Sequence, residues 1–183
     1  MEASKYVVAN VGQSGVGKHT LQVMFTEGRF FKEYDPDLRD TPSKQFYVDE
    51  TLVELVIHEI SEHSSTIDAL AKEIDGMLLM YSITCTASFE ATAEWRTRIV
   101  RAREGECPAM VLIGCKSDLE KDRKVPLEEG QLLAVTFDGC PFLEVSSKTC
   151  TNVSESYEEL AREIIKREKH GERGRPRKKC EVM

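Results

Sequence analysis

The sequence predicts an α/β fold with a central, mostly parallel sheet of six strands flanked by helices. Two observations predict it. Short apolar runs alternate along the chain with segments whose apolar residues recur at helical spacing. Two of those runs, residues 76–83 and 110–115, are almost wholly apolar. A strand that is apolar on both sides is typical of a parallel sheet that is covered by helices on both faces.

The individual elements follow from the same patterns. The strand candidates are residues 5–11, 44–48, 52–59, 76–83, 110–115 and 142–145. Asp49 and Glu50 separate the second candidate from the third and predict a hairpin turn. Three helix faces are predicted, formed by Leu21, Met24 and Phe25, by Trp95, Ile99 and Ala102, and by Val153, Tyr157, Leu160, Ile164 and Ile165. The apolar period stops after Arg167, so we expect one domain over residues 1–167 and a flexible basic tail over residues 168–183.

Composition and charge narrow the classes of function. The chain has 183 residues, of which 40% are hydrophobic, and a formal net charge of -7, which argues against a nucleic-acid partner. The charge is uneven, because residues 166–179 read KREKHGERGRPRKK. This tail is expected to bind an anionic surface. No run is long enough to span a bilayer, and the six cysteines lack metal-type or disulfide-type spacing, which predicts a reducing compartment.

A phosphate-binding loop is predicted at residues 12–18, GQSGVGK, which match G-x-x-x-x-G-K between a predicted strand and a predicted helix. Its glycines let backbone N–H groups surround a phosphate, and its lysine supplies a positive charge. The pattern continues with a Ser or Thr that binds Mg²⁺, but His19 stands there, and Thr20 would point about 100° away. The expected nucleotide-binding residues of this segment are Gly12, Ser14, Gly15, Val16, Gly17, Lys18, His19 and Thr20.

Further motifs follow in the same order as in the Ras superfamily of small GTPases, which the chain resembles from Tyr6 to Met183. They are Phe30, residues 33–36 (EYDP), residues 76–83 (GMLLMYSI), residues 88–90 (SFE), residues 115–118 (CKSD) and residues 146–148 (SSK). The resemblance implies a P-loop NTPase fold of the Ras type with GDP or GTP as ligand and Mg²⁺ as cofactor. It also implies effector or regulator proteins as partners, which the sequence does not identify.

The resemblance also assigns the residues that select guanine. Phe30 stands where the family stacks an aromatic ring on the base. Asp118 can accept two hydrogen bonds from the N1 and N2 edge of guanine, which adenine cannot offer. The stem of Lys116 is expected along the base. In the segment Ser146, Ser147 and Lys148, the Ser147 N–H is expected at the guanine O6. Cys115 replaces an asparagine of the family, and a thiol is a weaker hydrogen-bond partner.

The residues that handle Mg²⁺ and the γ-phosphate depart from the family pattern. Asp37 stands in place of the metal-binding Thr of the first switch, and residues 59–63 (EISEH) stand in place of Asp-x-x-Gly-Gln. Asp37 and Glu59 are therefore metal-ligand candidates, although the imidazole of His19 argues against a Mg²⁺ site. His63 replaces the water-orienting glutamine and is a catalytic candidate. These replacements predict slow GTP hydrolysis, unless the second switch of this chain is misaligned with the family pattern.

The C-terminus, Cys180 followed by Glu, Val and Met183, fits the prenylation pattern C-a-a-X, and Met at the last position favours farnesyl. The alternative is a stray exposed cysteine. A single lipid anchors weakly, and the basic tail supplies a second signal for an anionic membrane surface. We therefore expect the chain on the cytoplasmic face of a membrane, with the plasma membrane as the first candidate.

Two functions stay open at this level. The first is a membrane-tethered guanine-nucleotide switch of the Ras type with weak GTP hydrolysis, which is favoured by Gly17, Lys18, Asp118 and residues 147–148. The second is a pseudo-GTPase, an interaction module that does not cycle, which is favoured by the altered switch residues. A P-loop kinase is a weaker alternative, because neither the base-recognition residues nor the C-terminal pattern has a role there.

Overall fold

The computed structural model describes residues 3–28, 42–62, 64 and 67–171. In these residues six strands form one sheet in the order β2-β3-β1-β4-β5-β6. The strands are β1 Ser4–Val11, β2 Ser43–Val48, β3 Thr51–Ile60, β4 Gly76–Ser82, β5 Ala109–Cys115 and β6 Phe142–Val145. Every neighbouring pair is parallel except β2 with β3, which form the hairpin predicted around Asp49. The predicted six-stranded, mostly parallel sheet is confirmed.

In the described part of the chain, five helices cover the sheet. They are α1 Lys18–Glu27, α2 Ile67–Glu73, α3 Thr86–Ala102, α4 Leu127–Thr136 and α5 Val153–Lys169, with a short 3₁₀ turn at Glu120–Asp122. Alternate residues of the strands enter two separate cores. Val8 and Leu78 pack on the side of α1 and α5, whereas Ala9 and Leu79 pack on the side of α2, α3 and α4. Strands buried on both faces explain the nearly continuous apolar runs in the sequence.

The helix α5 continues to Lys169, two residues beyond the expected domain boundary at Arg167. Two consecutive residues of this last turn have partners in the domain. The Arg167 guanidinium donates to the Cys107 carbonyl at 2.6 Å, and the Tyr6 hydroxyl donates to the Glu168 carboxylate at 2.9 Å. The division into a domain of residues 1–167 and a tail stays a prediction, because the tail lies almost wholly outside the described residues. None of the helices in the described part of the chain combines the length and apolarity needed to cross a membrane.

Parallel order brings the functional loops together. The loops that follow β1, β3, β5 and β6 all leave the carboxyl edge of the sheet, where ligands of open α/β sheets bind. Residues 12–17 follow β1, residues 116–118 follow β5, and residues 146–148 follow β6. The three predicted binding segments therefore lie at the same edge of the sheet.

Candidate nucleotide-binding site

The phosphate loop leaves β1 through a crowded glycine. A Cβ atom at Gly12 would lie 2.3 Å from the backbone oxygen of Met80, so no larger residue fits there without a backbone shift. The loop ends at Gly17, which has a φ of 114° and is the N-cap of α1. No side chain caps the first N–H groups of this helix. These N–H groups and the positive end of the helix dipole are therefore available to an anion.

Lys18 is held inside the loop. Its ammonium donates to the carbonyl oxygens of Gly12 and Gln13, at 2.8 and 2.7 Å. The side chain is buried, and this burial lowers the pKa of Lys18. The nearby carboxylates of Glu59 and Glu62 act to raise the same pKa, but burial has the larger effect. These contacts hold a lysine charge at the phosphate loop, as the sequence motif predicts.

A cavity of about 270 Å³ opens beside the loop at the carboxyl edge of the sheet. Val16, Gly17 and Thr20 line it from the loop and the first turn of α1. Thr20 therefore belongs to the site, although its position after His19 makes it a poor replacement for a metal-binding hydroxyl. The cavity is only slightly smaller than typical ligand pockets of roughly 300 Å³ and more.

The opposite wall of the cavity comes from the two loops that were predicted to read the base. Lys116, Asp118, Ser147 and Lys148 all line it. The Asp118 carboxylate accepts a hydrogen bond from the Ser146 hydroxyl at 2.7 Å. Ser146 itself is buried, and its backbone pairs with the backbone of Thr151 in both directions. The loop after β6 therefore orients the acceptor on the loop after β5.

Lys116 links the base side to the phosphate side. Its backbone has a φ of 67°, and its ammonium donates to the carbonyl oxygen of Gly15 at 2.7 Å. The expected position of its stem beside the base is compatible with this contact, but the ammonium also holds the phosphate loop. Cys115, next to it, is buried, and burial raises the pKa of its thiol to about 12. This thiol is therefore neutral at physiological pH.

Two glutamates contact the phosphate loop and the first turn of α1. Glu62 accepts a hydrogen bond from the backbone N–H of Ser14, with both carboxylate oxygens 3.0 Å from the nitrogen. His19 Nδ1 lies 3.0 Å from Glu59 Oε1, and both side chains are partly exposed. Residues 59 and 62 therefore face the phosphate loop, as their alignment with the second switch implies. No group of three or more His, Cys, Asp or Glu residues that could hold a metal ion occurs within the described ranges.

Comparison with known proteins agrees with this geometry. The model of the Ras family matches residues 5–166. A Ras-like protein of Dictyostelium discoideum, rasC, is 42% identical over 158 residues, which cover 84% of this chain and 83% of that protein. The chain belongs to the Ras family. Membership in the Ras family supports a GTP-binding signalling switch that binds GDP, GTP and Mg²⁺ and acts with effector or regulator proteins.

Several predicted site residues of this Ras-family protein cannot be compared with the structure. Phe30, Asp37, His63 and Cys180 lie outside the described residues. Their roles in base stacking, metal binding, catalysis and lipidation stay predictions.

Sequence reasoning missed other residues of the Ras-family site. Asn10 is buried on β1, and its side-chain amide donates to the Lys18 carbonyl at 3.2 Å and to the Tyr157 hydroxyl at 2.8 Å. Asn10 thus ties the first turn of α1 to α5. The sequence signal that could have identified Asn10 was a polar residue inside an otherwise apolar strand. Leu119 and Val145 also line the cavity, and each lies directly beside a motif residue in the sequence.

Proposed function

We propose that this chain is a membrane-tethered guanine-nucleotide switch of the Ras type with weak GTP hydrolysis. The observation that carries the weak hydrolysis is the contact of the Glu62 carboxylate with the Ser14 N–H. A switch that hydrolyses GTP efficiently must stabilise negative charge at the outer phosphates, mainly with cations and N–H donors. Here a carboxylate occupies one of those donors.

The charge balance supports the same proposal. The carboxylates of Glu59 and Glu62 both act to raise the pKa of Lys18, whose ammonium is the cation of the phosphate loop. A γ-phosphate would add further negative charge beside these two carboxylates. Like charges at short range repel, and this repulsion affects the triphosphate more than the diphosphate. The nucleotide is therefore expected to bind, while the transition state of hydrolysis is poorly stabilised.

The contact between His19 and Glu59 supports a weakened Mg²⁺ site. Mg²⁺ prefers six oxygen ligands in near-octahedral geometry and rarely takes an imidazole. The carboxylate of the metal-ligand candidate Glu59 lies 3.0 Å from the His19 ring nitrogen, and the neighbouring Glu62 carboxylate accepts a hydrogen bond from the Ser14 N–H. This donor set does not fit a normal Mg²⁺ site. Lys18 and the backbone N–H groups are therefore expected to supply most of the stabilisation of the phosphate charge.

Membrane tethering rests on the C-terminal sequence. Cys180 is the fourth residue from the end, and residues 166–179 contain eight Lys or Arg side chains. A prenyl group with a basic segment supplies the two signals that stable attachment to an anionic leaflet requires. We propose the cytoplasmic face of a membrane, with the plasma membrane as the first candidate, as the location.

The alternative function is a pseudo-GTPase that serves as an interaction module. The contact between Glu62 and Ser14 also favours the pseudo-GTPase, because a phosphate loop that already binds a carboxylate depends less on a bound nucleotide. The open cavity between Val16 and Asp118 favours the switch instead, because an interaction module that binds no nucleotide does not require such a cavity.

The nucleotide that co-purifies with the full-length protein separates these functions. GDP or GTP at about one molecule per chain supports the switch, whereas nucleotide-free protein that binds neither GDP nor GTP supports the module. Single-turnover hydrolysis of bound GTP in the presence of Mg²⁺ then tests the weak hydrolysis. A rate equal to that of rasC, measured in parallel, would contradict it.

A further inference from the structure

The outer end of the phosphate loop is engaged by an anion from the chain itself. Backbone N–H groups of such a loop are the donors that surround phosphate oxygens. One of them, at Ser14, donates to the carboxylate of Glu62, whose two oxygens are both 3.0 Å from the nitrogen. A carboxylate shares with a phosphate its negative charge and its several acceptor oxygens. In this structure the Glu62 carboxylate therefore accepts a hydrogen bond from one N–H donor of the phosphate loop.

The backbone around Glu62 brings its carboxylate to the loop. The strand β3 ends at Ile60, which is in register with Val11 at the end of β1, and the Ile60 carbonyl accepts a hydrogen bond from the Gly12 N–H at 3.3 Å. Beyond it, the Ser61 N–H donates to the Ser64 hydroxyl, and the Ser64 N–H donates to the Ser61 carbonyl, both at 3.0 Å. Sheet pairing on one side and this turn on the other fix Glu62 beside the phosphate loop.

The rest of the site is open. The cavity is lined by Val16 and Gly17, in the second half of the loop, and by Asp118 on the base side. Within the described residues its lining does not include Ser14 or Lys18. The cavity therefore lies between the second half of the loop and the side that holds Asp118, whereas the Glu62 carboxylate lies at the first half of the loop.

We propose that the Glu62 carboxylate is an internal substitute for the terminal phosphate and makes the site selective for a nucleoside diphosphate over a triphosphate. The inference rests on the proposed function, in which this site binds a guanine nucleotide. A diphosphate binds while the contact between Glu62 and the Ser14 N–H stays in place. A triphosphate must displace the carboxylate before its terminal phosphate reaches that donor, and it then lies beside an expelled negative charge.

The test compares the affinities of the nucleotide-free full-length chain for GDP and for a non-hydrolysable GTP analogue. Glu62→Gln removes the charge and keeps the size of the side chain. We expect the wild type to bind GDP at least about tenfold more tightly than the analogue, since a hydrogen bond to a charged group is worth that much or more. Glu62→Gln should reduce this ratio by about tenfold by strengthening the binding of the analogue. Glu94→Gln, the same change at an exposed position of α3, should leave the ratio unchanged.

Four outcomes would overturn the inference, and they differ in what else they contradict. A wild type that binds both nucleotides equally, or a ratio that Glu62→Gln does not change, excludes selectivity through Glu62 and leaves the proposed function intact. Binding of both nucleotides by Glu62→Gln but of neither by the wild type shows that the carboxylate excludes diphosphates as well. If neither protein binds a guanine nucleotide, the proposed function fails and the selectivity fails with it.

Discussion

The hydroxyl of Ser146 donates a hydrogen bond to the carboxylate of Asp118 across 28 positions of sequence, at 2.7 Å. This contact joins the loop after β5 to the loop after β6 at the cavity. It leaves the carboxylate with acceptor capacity for a ligand, because each of its oxygens has two lone pairs. The orientation of the side chain that is predicted to distinguish guanine from adenine is therefore set by a second loop.

Asp118→Asn should weaken the binding of GDP and favour a xanthine nucleotide. An amide offers a donor where guanine also presents a donor, and an unsatisfied buried group costs about 1–3 kcal/mol. Competition binding with GDP, XDP and ADP measures the effect. Asp122→Asn, at an exposed position four residues away, is the control and should leave the preference for GDP unchanged. Equal affinity of the wild type for ADP and GDP would exclude guanine selection by Asp118.

Cys180→Ser should release the protein from membranes into the cytosol. The thiol of Cys180 is the expected site of the prenyl group, and a basic segment alone binds anionic lipid more weakly. Intact-mass measurement in a host with prenyl transferases detects the lipid directly. Cys150→Ser removes an exposed cysteine and should keep both the lipid and the membrane fraction. An unmodified C-terminus in the wild type would contradict the prediction.

Replacement of the tail's Lys and Arg residues by Gln should weaken membrane binding only in part. Each such charge near an anionic leaflet contributes about 1 kcal/mol, and this contribution is screened by salt. Sedimentation with vesicles that contain anionic lipid, at low and high salt, measures both effects. The variant should be less salt-sensitive than the wild type. An unchanged salt dependence would show that the basic tail does not face the lipid.

His19→Ser combined with Asp37→Thr should raise the Mg²⁺-dependent affinity for GTP. The two changes restore hydroxyl ligands, which suit Mg²⁺ better than an imidazole does. Affinities measured with Mg²⁺ and with EDTA give the metal dependence, which should be larger in the variant than in the wild type. Hydrolysis should stay slow until Glu62→Gly and His63→Gln are added. A wild type whose GTP affinity already falls as steeply with EDTA would contradict the weakened site.

Gly12→Ala should destabilise the folded protein more than Gly15→Ala. A Cβ at Gly12 would lie 2.3 Å from the Met80 backbone oxygen, and such overpacking costs about 1–3 kcal/mol. A Cβ at Gly15 would meet no atom within 4 Å, so only its φ of 80° opposes a side chain, at about 1–2 kcal/mol. Urea unfolding of the nucleotide-free proteins compares the two losses in the free energy of unfolding. An equal or larger loss for Gly15→Ala would contradict the prediction and would show that the backbone shifts to accommodate a Cβ at position 12.

The sequence was sufficient to predict the strands of the sheet but not all of the helices. Apolar runs such as those in β4 and β5 identify strands because both of their faces are buried. The helix α4 lacked a readable pattern because Leu132 and Val135 are exposed, at 66% and 69%, and therefore break the apolar period. The helix α2 is only seven residues long, which is too short for a clear periodicity.

The binding site was predictable as far as its motifs extend. The loop residues from Gly12 to Lys18 and the residues around Asp118 could be assigned because each motif follows a strand at the same edge of the sheet. The contact of Glu62 with Ser14 could not be predicted, since it depends on the direction that the backbone takes after β3 ends at Ile60. The sequence showed only that a carboxylate replaces a glycine there.

The hydrogen bond between Tyr6 and Glu168 places the end of α5 at the amino end of β1. Glu168 precedes the tail, and Tyr6 lies near the start of β1, whereas Gly12 follows the other end of that strand. Gly12 lies six positions after Tyr6, which corresponds to about 20 Å along an extended strand. A tail that leaves from the amino end of β1 and attaches to a lipid surface would hold that end of the sheet against the bilayer. The nucleotide would then face the aqueous side, within reach of soluble proteins.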